Sequence, residues 1–363
     1  MYQPAPDISG ANAGRGKDGM SVFRRVALIG AGALGNELFR QLGLLGAGEV
    51  LLIDPDRVEP SNLAKCAFFH APEAVGRLKA EVLAEIGGAW FGQTRWVPLG
   101  CEIADVGWAL LQDCEVLLAA VDRDSARLET ARISTRLDIP VCDGGMSTAG
   151  KAAGRVTWFP GRGAACFCCR LTARRRREYL QTWSSAAHPC RVPEEPGGWS
   201  ATPALAAMTA ALQVHFCFEW LRRKEREARS VEFRLDGPMR MEEVRVPLDE
   251  TCPFHSEAVP LQPLCGRPAE ALRPGQEVVW EWPLCLRARC LDCGQEFEPR
   301  MRAARLRRTG ACPRCGGRRL LELDNRRSLA AGDLLAGTAL EDLGLPAEHL
   351  YSIREGSPVE EME

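Results

Sequence analysis

Two groups of residues in this 363-residue chain have the types and spacing to do chemistry. The first is Gly30-x-Gly32-x-x-Gly35, which directly follows the apolar run Val26-Ala-Leu-Ile29 and opens a helix-periodic segment. Glycines at this spacing allow a tight turn and let a phosphate approach the backbone N–H groups at a helix N-terminus. Asp54 ends the next apolar run about twenty residues on, where an acidic group hydrogen-bonds ribose hydroxyls. On these residues alone a nicotinamide-dependent dehydrogenase and other nucleotide enzymes are both open. The second group is Cys290-Leu-Asp-Cys293 and Cys312-Pro-Arg-Cys315, separated by eighteen residues and each with glycine nearby. Two such thiolate knuckles close one tetrahedron, as in a zinc ribbon. Four thiolates leave no open position, so a Zn²⁺ held here is structural. Cys285 reads as a core thiol.

The elements that must position these residues follow from periodicity. Val26–Ile29 reads as a strand, Asn36–Leu45 as a helix with Leu38, Leu42 and Leu45 on one face, and Glu49–Asp54 as a second strand. That βαβ unit requires a parallel pair with a right-handed crossover. The alternation continues through a helix near 77–86, strands near 96–99 and 116–121, a helix over 125–137 and a strand at 140–142. The pattern specifies a Rossmann-like, doubly wound α/β fold. Further strands are expected at 155–159, 231–235 and 241–246, with a helix over 203–224. Leu340–Pro346 suggests a short helix and Leu350–Ile353 a strand. The division is a mobile tail at 1–20, one α/β domain at 21–258 with a long crossover loop at 170–201, and a partner-docking domain carrying the ribbon at 259–363.

A formal net charge of −2 gives no nucleic-acid footprint. No apolar run is expected to reach the roughly 20 residues that span a bilayer, and no leader pattern opens the chain, so a cytoplasmic protein is expected. Sixteen cysteines, several in Cys-x-x-Cys pairs, favour metal ligation over disulfides in such a setting. Arginine greatly outnumbers lysine, which fits a GC-rich, bacterial-type genome. The Arg174–Arg177 run reads first as a solvated helical face and second as a contact for an acidic partner. Cys66, Cys101, Cys114, Cys142 and Cys217 lie in or beside apolar elements and read as buried.

Asp54-Pro-Asp56-Arg-Val-Glu-Pro-Ser-Asn62-Leu, then Gly76-x-x-Lys79-Ala-Glu and Ala-Val-Asp122-x-x-x-x-Arg127, resemble the ThiF, MoeB and HesA family of ubiquitin-activating-enzyme-like adenylyltransferases. The resemblance runs from about Val26 to His255. It implies ATP bound at the Gly30, Gly32 and Gly35 turn, with Asp54 on the ribose and Asp56 and Asn62 shaping the phosphate site. Lys79 then binds phosphate and Asp122 holds Mg²⁺. Such cations are what carboxylate attack on an α-phosphate needs, because both reactants are anionic. The chain departs from the family in two places. Lys65 stands where arginine is usual, keeping charge but losing the bidentate fork. No clear N-terminal arginine finger is present, leaving Arg15, Arg24 and Arg25 as candidates.

The resemblance also implies a split zinc site from Cys166, Cys169, Cys252 and His255, with Cys168 able to replace either neighbour, and a catalytic cysteine at Cys190 in the crossover loop. It further implies a homodimer. The activity expected is ATP-dependent adenylation of the C-terminal carboxylate of a ubiquitin-like protein. A thioester on Cys190 and hand-over to a conjugating enzyme follow. Two alternatives are a sulfur-carrier adenylyltransferase of thiamine or molybdopterin type and a non-catalytic scaffold retaining the fold.

Overall fold

The computed structural model describes residues 23–147, 152–177, 202–255, 260–264 and 266–355. Its first sheet has eight strands in the order β3-β2-β1-β4-β5-β6-β7-β8. β1 (Arg25–Ile29), β2 (Glu49–Ile53), β3 (Arg95–Leu99), β4 (Val116–Ala119) and β5 (Val141–Met146) are parallel. β6 (Ala153–Phe159), β7 (Arg229–Arg234) and β8 (Arg240–Arg245) continue it antiparallel. β1, β2 and β4 are apolar almost throughout because both their faces are covered. The register Ile29↔Ile53 and Ile29↔Ala119 brings the carboxyl ends of β1, β2 and β4 level. That is where ligands bind in such sheets.

One face carries α1 (Ala33–Leu44), α2 (Lys79–Trp90) and the helix Pro203–Arg223, around a core that includes Phe39, Leu42, Leu83 and Trp220. Its buried residues in α1, Leu34, Leu38, Phe39 and Leu42, keep the 3–4 spacing of an amphipathic helix. Against the sequence expectation, Pro203–Arg223 is long and apolar enough to cross a membrane, with a mean hydropathy of 1.3. Here it is a core helix, and buried Gln213 ties it to the sheet by donating to the Ala119 and Cys142 carbonyls at 3.0 and 2.8 Å.

The other face carries α3 (Trp108–Leu111) and α4 (Asp124–Leu137), and here the carboxyl-terminal part packs. That part is a second, six-stranded sheet built on β10 (Gln276–Cys290), flanked by β13 (Leu320–Ala330) and β14 (Leu350–Glu355). β9 (Leu261–Pro263) pairs β14, and β11 (Glu296–Phe297) and β12 (Met301–Arg302) pair β10. Trp280, Trp282 and Leu284 of β10 share one apolar core with Trp108, Leu128 and Ile133. The second sheet is therefore no separate bead on a linker.

Three expectations need correction. Leu340–Pro346 forms turns rather than a helix. Gly344 has φ +93°, and a Cβ there would stand 2.0 Å from the Arg300 carbonyl, so seven residues ending in proline are folded around a neighbour instead of coiling. Arg174, Arg175 and Arg177 are exposed on a helical turn as expected, but Arg176 is buried, with its guanidinium 2.5 Å from Asp249, and so is not part of that solvated face. Cys101 is half-exposed, whereas Cys66, Cys114, Cys142, Cys217 and Cys285 are buried.

Candidate nucleotide cleft and metal clusters

The Gly30 turn crosses from β1 into α1. Gly30 has φ +95°, and a Cβ on it would lie 2.6 Å from the Ala120 carbonyl oxygen. A Cβ at Gly35 would lie 2.0 Å from the Gly30 carbonyl oxygen, so this glycine lets α1 close onto the turn. Gly32 is different: nothing approaches its Cβ position within 4 Å, which leaves the backbone open to the cleft. Gly30 and Gly32 line the cavity and Gly35 lies behind them, shaping the turn without reaching the ligand space. The split matches the division of labour in dinucleotide turns, where one glycine admits pyrophosphate and another admits the helix.

The cavity over the strand ends measures about 590 Å³, the size of a small-molecule site. Asp54, Asp56, Asn62, Lys65, Lys79 and Asp122 all line it. Asp54 accepts from the Ala31 N–H at 2.6 Å and from the Asp56 N–H at 2.8 Å, which locks the phosphate turn to the end of β2. Burial holds its carboxyl above the ordinary range, against the pull of Lys79 and the two N–H groups. Lys79, buried at the start of α2, reaches Asp56 at 3.1 Å. Asn62 closes a capping box, its Oδ1 accepting from the Glu59 N–H at 2.9 Å. It therefore shapes the loop that carries Lys65. Asp122 stands exposed between β4 and α4.

Several residues around this cleft were not singled out in the sequence. Asp143 on β5 is buried between Arg127 at 2.9 Å and Arg155 at 2.8 Å. Those two cations hold its carboxyl below the usual range despite burial. The far wall comes from the carboxyl-terminal part: Arg302 at the end of β12, and Ala304 and Arg308 of the helix Ala303–Thr309, line the cavity. Arg302 pairs with Glu102 at 3.0 Å and Asp105 at 2.9 Å, and Arg308 pairs with Glu102 as well. Nothing in the sequence marked either arginine, because a lone cation carries no sign of where it lands.

Of the arginine candidates, Arg24 pairs with Glu115 at 2.8 Å and Arg25 with Glu49 at 2.8 Å. Both sit at the start of β1, the opposite end from Gly30, and so cannot reach the cleft of their own chain. Arg15 lies outside the described residues, as does Cys190.

The remaining predicted ligands form two clusters, each with all four ligand atoms within 4.8 Å of one another: Cys166, Cys169, Cys252, His255 and Cys290, Cys293, Cys312, Cys315. In the first, Cys166 Sγ lies 3.9 Å from Cys169 Sγ and 3.7 Å from Cys252 Sγ, and His255 Nε2 lies 3.1 Å from Cys169 Sγ. In the second, the Cys290–Cys315 and Cys293–Cys312 separations are both 3.6 Å. Bonds of 2.3 Å to a tetrahedral metal put sulfurs about 3.8 Å apart. Both donor sets therefore fit a thiophilic tetrahedral ion. Cys168, fully buried beside the first cluster, is not in it.

Fold and cleft together define a Rossmann-like α/β protein with a glycine turn, an acidic strand end and lysines converging on one cavity. The ThiF family model matches residues 15–253, and the chain belongs to the ThiF family, which makes it adenylyltransferase-like. Among solved structures, E. coli MccB with succinimide matches at 16% identity and a TM-score of 0.47, over 64% of this chain and 67% of that one. E. coli MccB with ATP matches at the same identity and TM-score over 65% and 67%. PaaA matches at 19% identity and a TM-score of 0.46, over 62% and 74%. No curated protein matches this chain.

Proposed function

We propose that the protein adenylates the C-terminal carboxylate of a protein or peptide partner at the expense of ATP. The observation that carries the proposal is one cavity of about 590 Å³ into which three strand ends deliver Gly32, Asp54 and Asp122 and the start of α2 delivers Lys79. Lys79 and Lys65 would neutralise the phosphates, Asp54 would hold the ribose, and Asp122 would hold Mg²⁺, which supplies further charge neutralisation when bound. Lys79 now faces Asp56, so binding of the nucleotide exchanges one anion for another at that ammonium. Positioning and charge neutralisation would supply most of the rate, because the attacking and leaving groups are all anionic.

In the finer form of the proposal the partner is a ubiquitin-like protein with a flexible tail. Cys190 takes the acyl group as a thioester, expelling AMP, and a conjugating enzyme receives it. Zn²⁺ is the ion proposed for both four-ligand clusters, and a homodimer is the proposed assembly by family resemblance. The test is pyrophosphate exchange with labelled ATP and candidate tailed partners, read together with a thiol-sensitive adduct. Partner-dependent exchange with an adduct lost in Cys190→Ala supports the finer form. Exchange without any adduct leaves adenylation alone, as in sulfur-carrier activation. No turnover with any partner overturns the proposal.

A further inference from the structure

Glu129 lies two turns into α4, 2% exposed, with both carboxyl oxygens lacking a hydrogen-bond partner among the described residues, and it lines the nucleotide cavity. A buried carboxyl in this state costs free energy unless something answers it. The cations around it are engaged elsewhere: Arg302 by Glu102 and Asp105, and Arg132, on the same helix, by Glu281 of β10 at 3.2 Å.

The order of the sheet says what would meet it. With phosphates at the Gly30 turn over β1 and ribose at Asp54 over β2, a nucleotide runs toward the side of β3. The turn after that strand, Ile103–Asp105, packs in the same apolar core as α4. The base therefore enters between that turn and α4, where Ile103, Ala104 and Ala126 offer apolar walls and Glu129 the polar group.

We propose that Glu129 reads the nucleobase, presenting one hydrogen-bond donor and one acceptor to the amino group and adjacent ring nitrogen of adenine. Adenine offers a donor beside an acceptor on an edge, which a neutral carboxyl complements and an ionised one, with acceptors only, does not. The neutral form is the one favoured here, since burial pushes Glu129 up to about 7. The groups facing it from the packed elements are Arg132 on α4, Arg302 at the end of β12, Glu281 on β10 and Asp105 after β3, two cations against two anions. The second sheet, through Arg302, thus forms part of the base pocket. The inference rests on the ATP reading above.

Its test compares affinities of the full chain for ATP and for purine riboside triphosphate, which lacks the amino group, in wild type, Glu129→Gln and Glu129→Leu. Wild type is expected to prefer ATP about tenfold, the worth of one good hydrogen bond. Glu129→Gln, which keeps a donor and an acceptor, retains the preference, and Glu129→Leu abolishes it. An unchanged ratio in Glu129→Leu overturns the assignment while leaving the ATP reading intact, whereas no binding of either triphosphate by wild type overturns both. Should Glu129→Leu not fold, pH decides. The wild-type ratio falls between pH 6 and pH 9 as the carboxyl loses its proton and stays flat in Glu129→Gln, and a wild-type ratio as flat as that of Glu129→Gln overturns the assignment.

Discussion

At the residue scale, the three glycines of the turn do different work, and substitution separates them. Gly35→Ala places a methyl group 2.0 Å from a carbonyl oxygen and is expected to destabilise the fold by about 3 kcal/mol or more. Gly32→Ala meets no atom within 4 Å, so thermal unfolding should be close to wild type while ATP affinity drops by about tenfold or more. Equal effects of both on melting temperature would refute this split. Two buried titratable groups oppose each other in pH dependence. Glu129, raised from 4.5 to about 7, is protonated in the fold. Its contribution to stability is complete below about 4.5 and is lost as pH rises through 7. His349, lowered from 6.5 to about 3 by burial against Trp108, Trp282 and Tyr351, is neutral in the fold. Its contribution is complete above about 6.5 and is lost as pH falls toward 3. Between about pH 4.5 and 6.5 the two slopes have opposite sign. Melting temperatures over that window should rise with pH in Glu129→Gln and fall with pH in His349→Phe.

At the element scale, α4 is the part that joins cleft to core. Its first turn borders Asp122, its Ala126 and Glu129 line the cavity, and one further pair of turns carries Arg132 and Arg136 to Glu281 of β10. The spacing of these residues puts them on one helix face. The ribbon end of β10 is held differently, through Cys290 and the knuckles it shares with Cys293, Cys312 and Cys315. Removing metal with a strong chelator is expected to lower the melting temperature. Cys312→Ser should mimic that loss without affecting the Cys166 cluster, as metal content per chain would report: one equivalent lost, one kept.

For the whole molecule, the second sheet completes both the core and the cleft. Arg302, 7% exposed, crosses from β12 to Glu102 and Asp105 at the mouth of the cavity. Removing Arg302 leaves Glu102 with Arg308 and Arg123 and Asp105 with Arg305 at 3.7 Å, so the lost charge-assisted hydrogen bonds cost about 1–3 kcal/mol. Arg302→Met is expected to show that loss in chemical denaturation together with weaker nucleotide binding, and Arg302→Lys a smaller one. A chain truncated before β9 would expose Trp108 and the apolar stripe of α4, and soluble, cooperatively folding material from such a truncation would contradict the shared core.

What the sequence determined by itself is local and periodic. The βαβ start and the glycine turn were legible because continuous apolar runs, a 3.6-residue apolar rhythm and a positive φ demand particular residue types near one another in the chain. The four-cysteine grouping at Cys290, Cys293, Cys312 and Cys315 was legible too, because thiolate pairs at short spacing have few other uses, whereas the grouping of Cys166 and Cys169 with Cys252 and His255 came only through the family resemblance. Tertiary structure alone decided which distant residues meet. Only it took Arg302 and Arg308 to the cleft wall, buried Arg176 against Asp249, turned Leu340–Pro346 away from helix and left Glu129 unpartnered in the cavity. Each of these depends on a contact across many residues of chain, and an isolated charge in a sequence carries no mark of which side chain will face it.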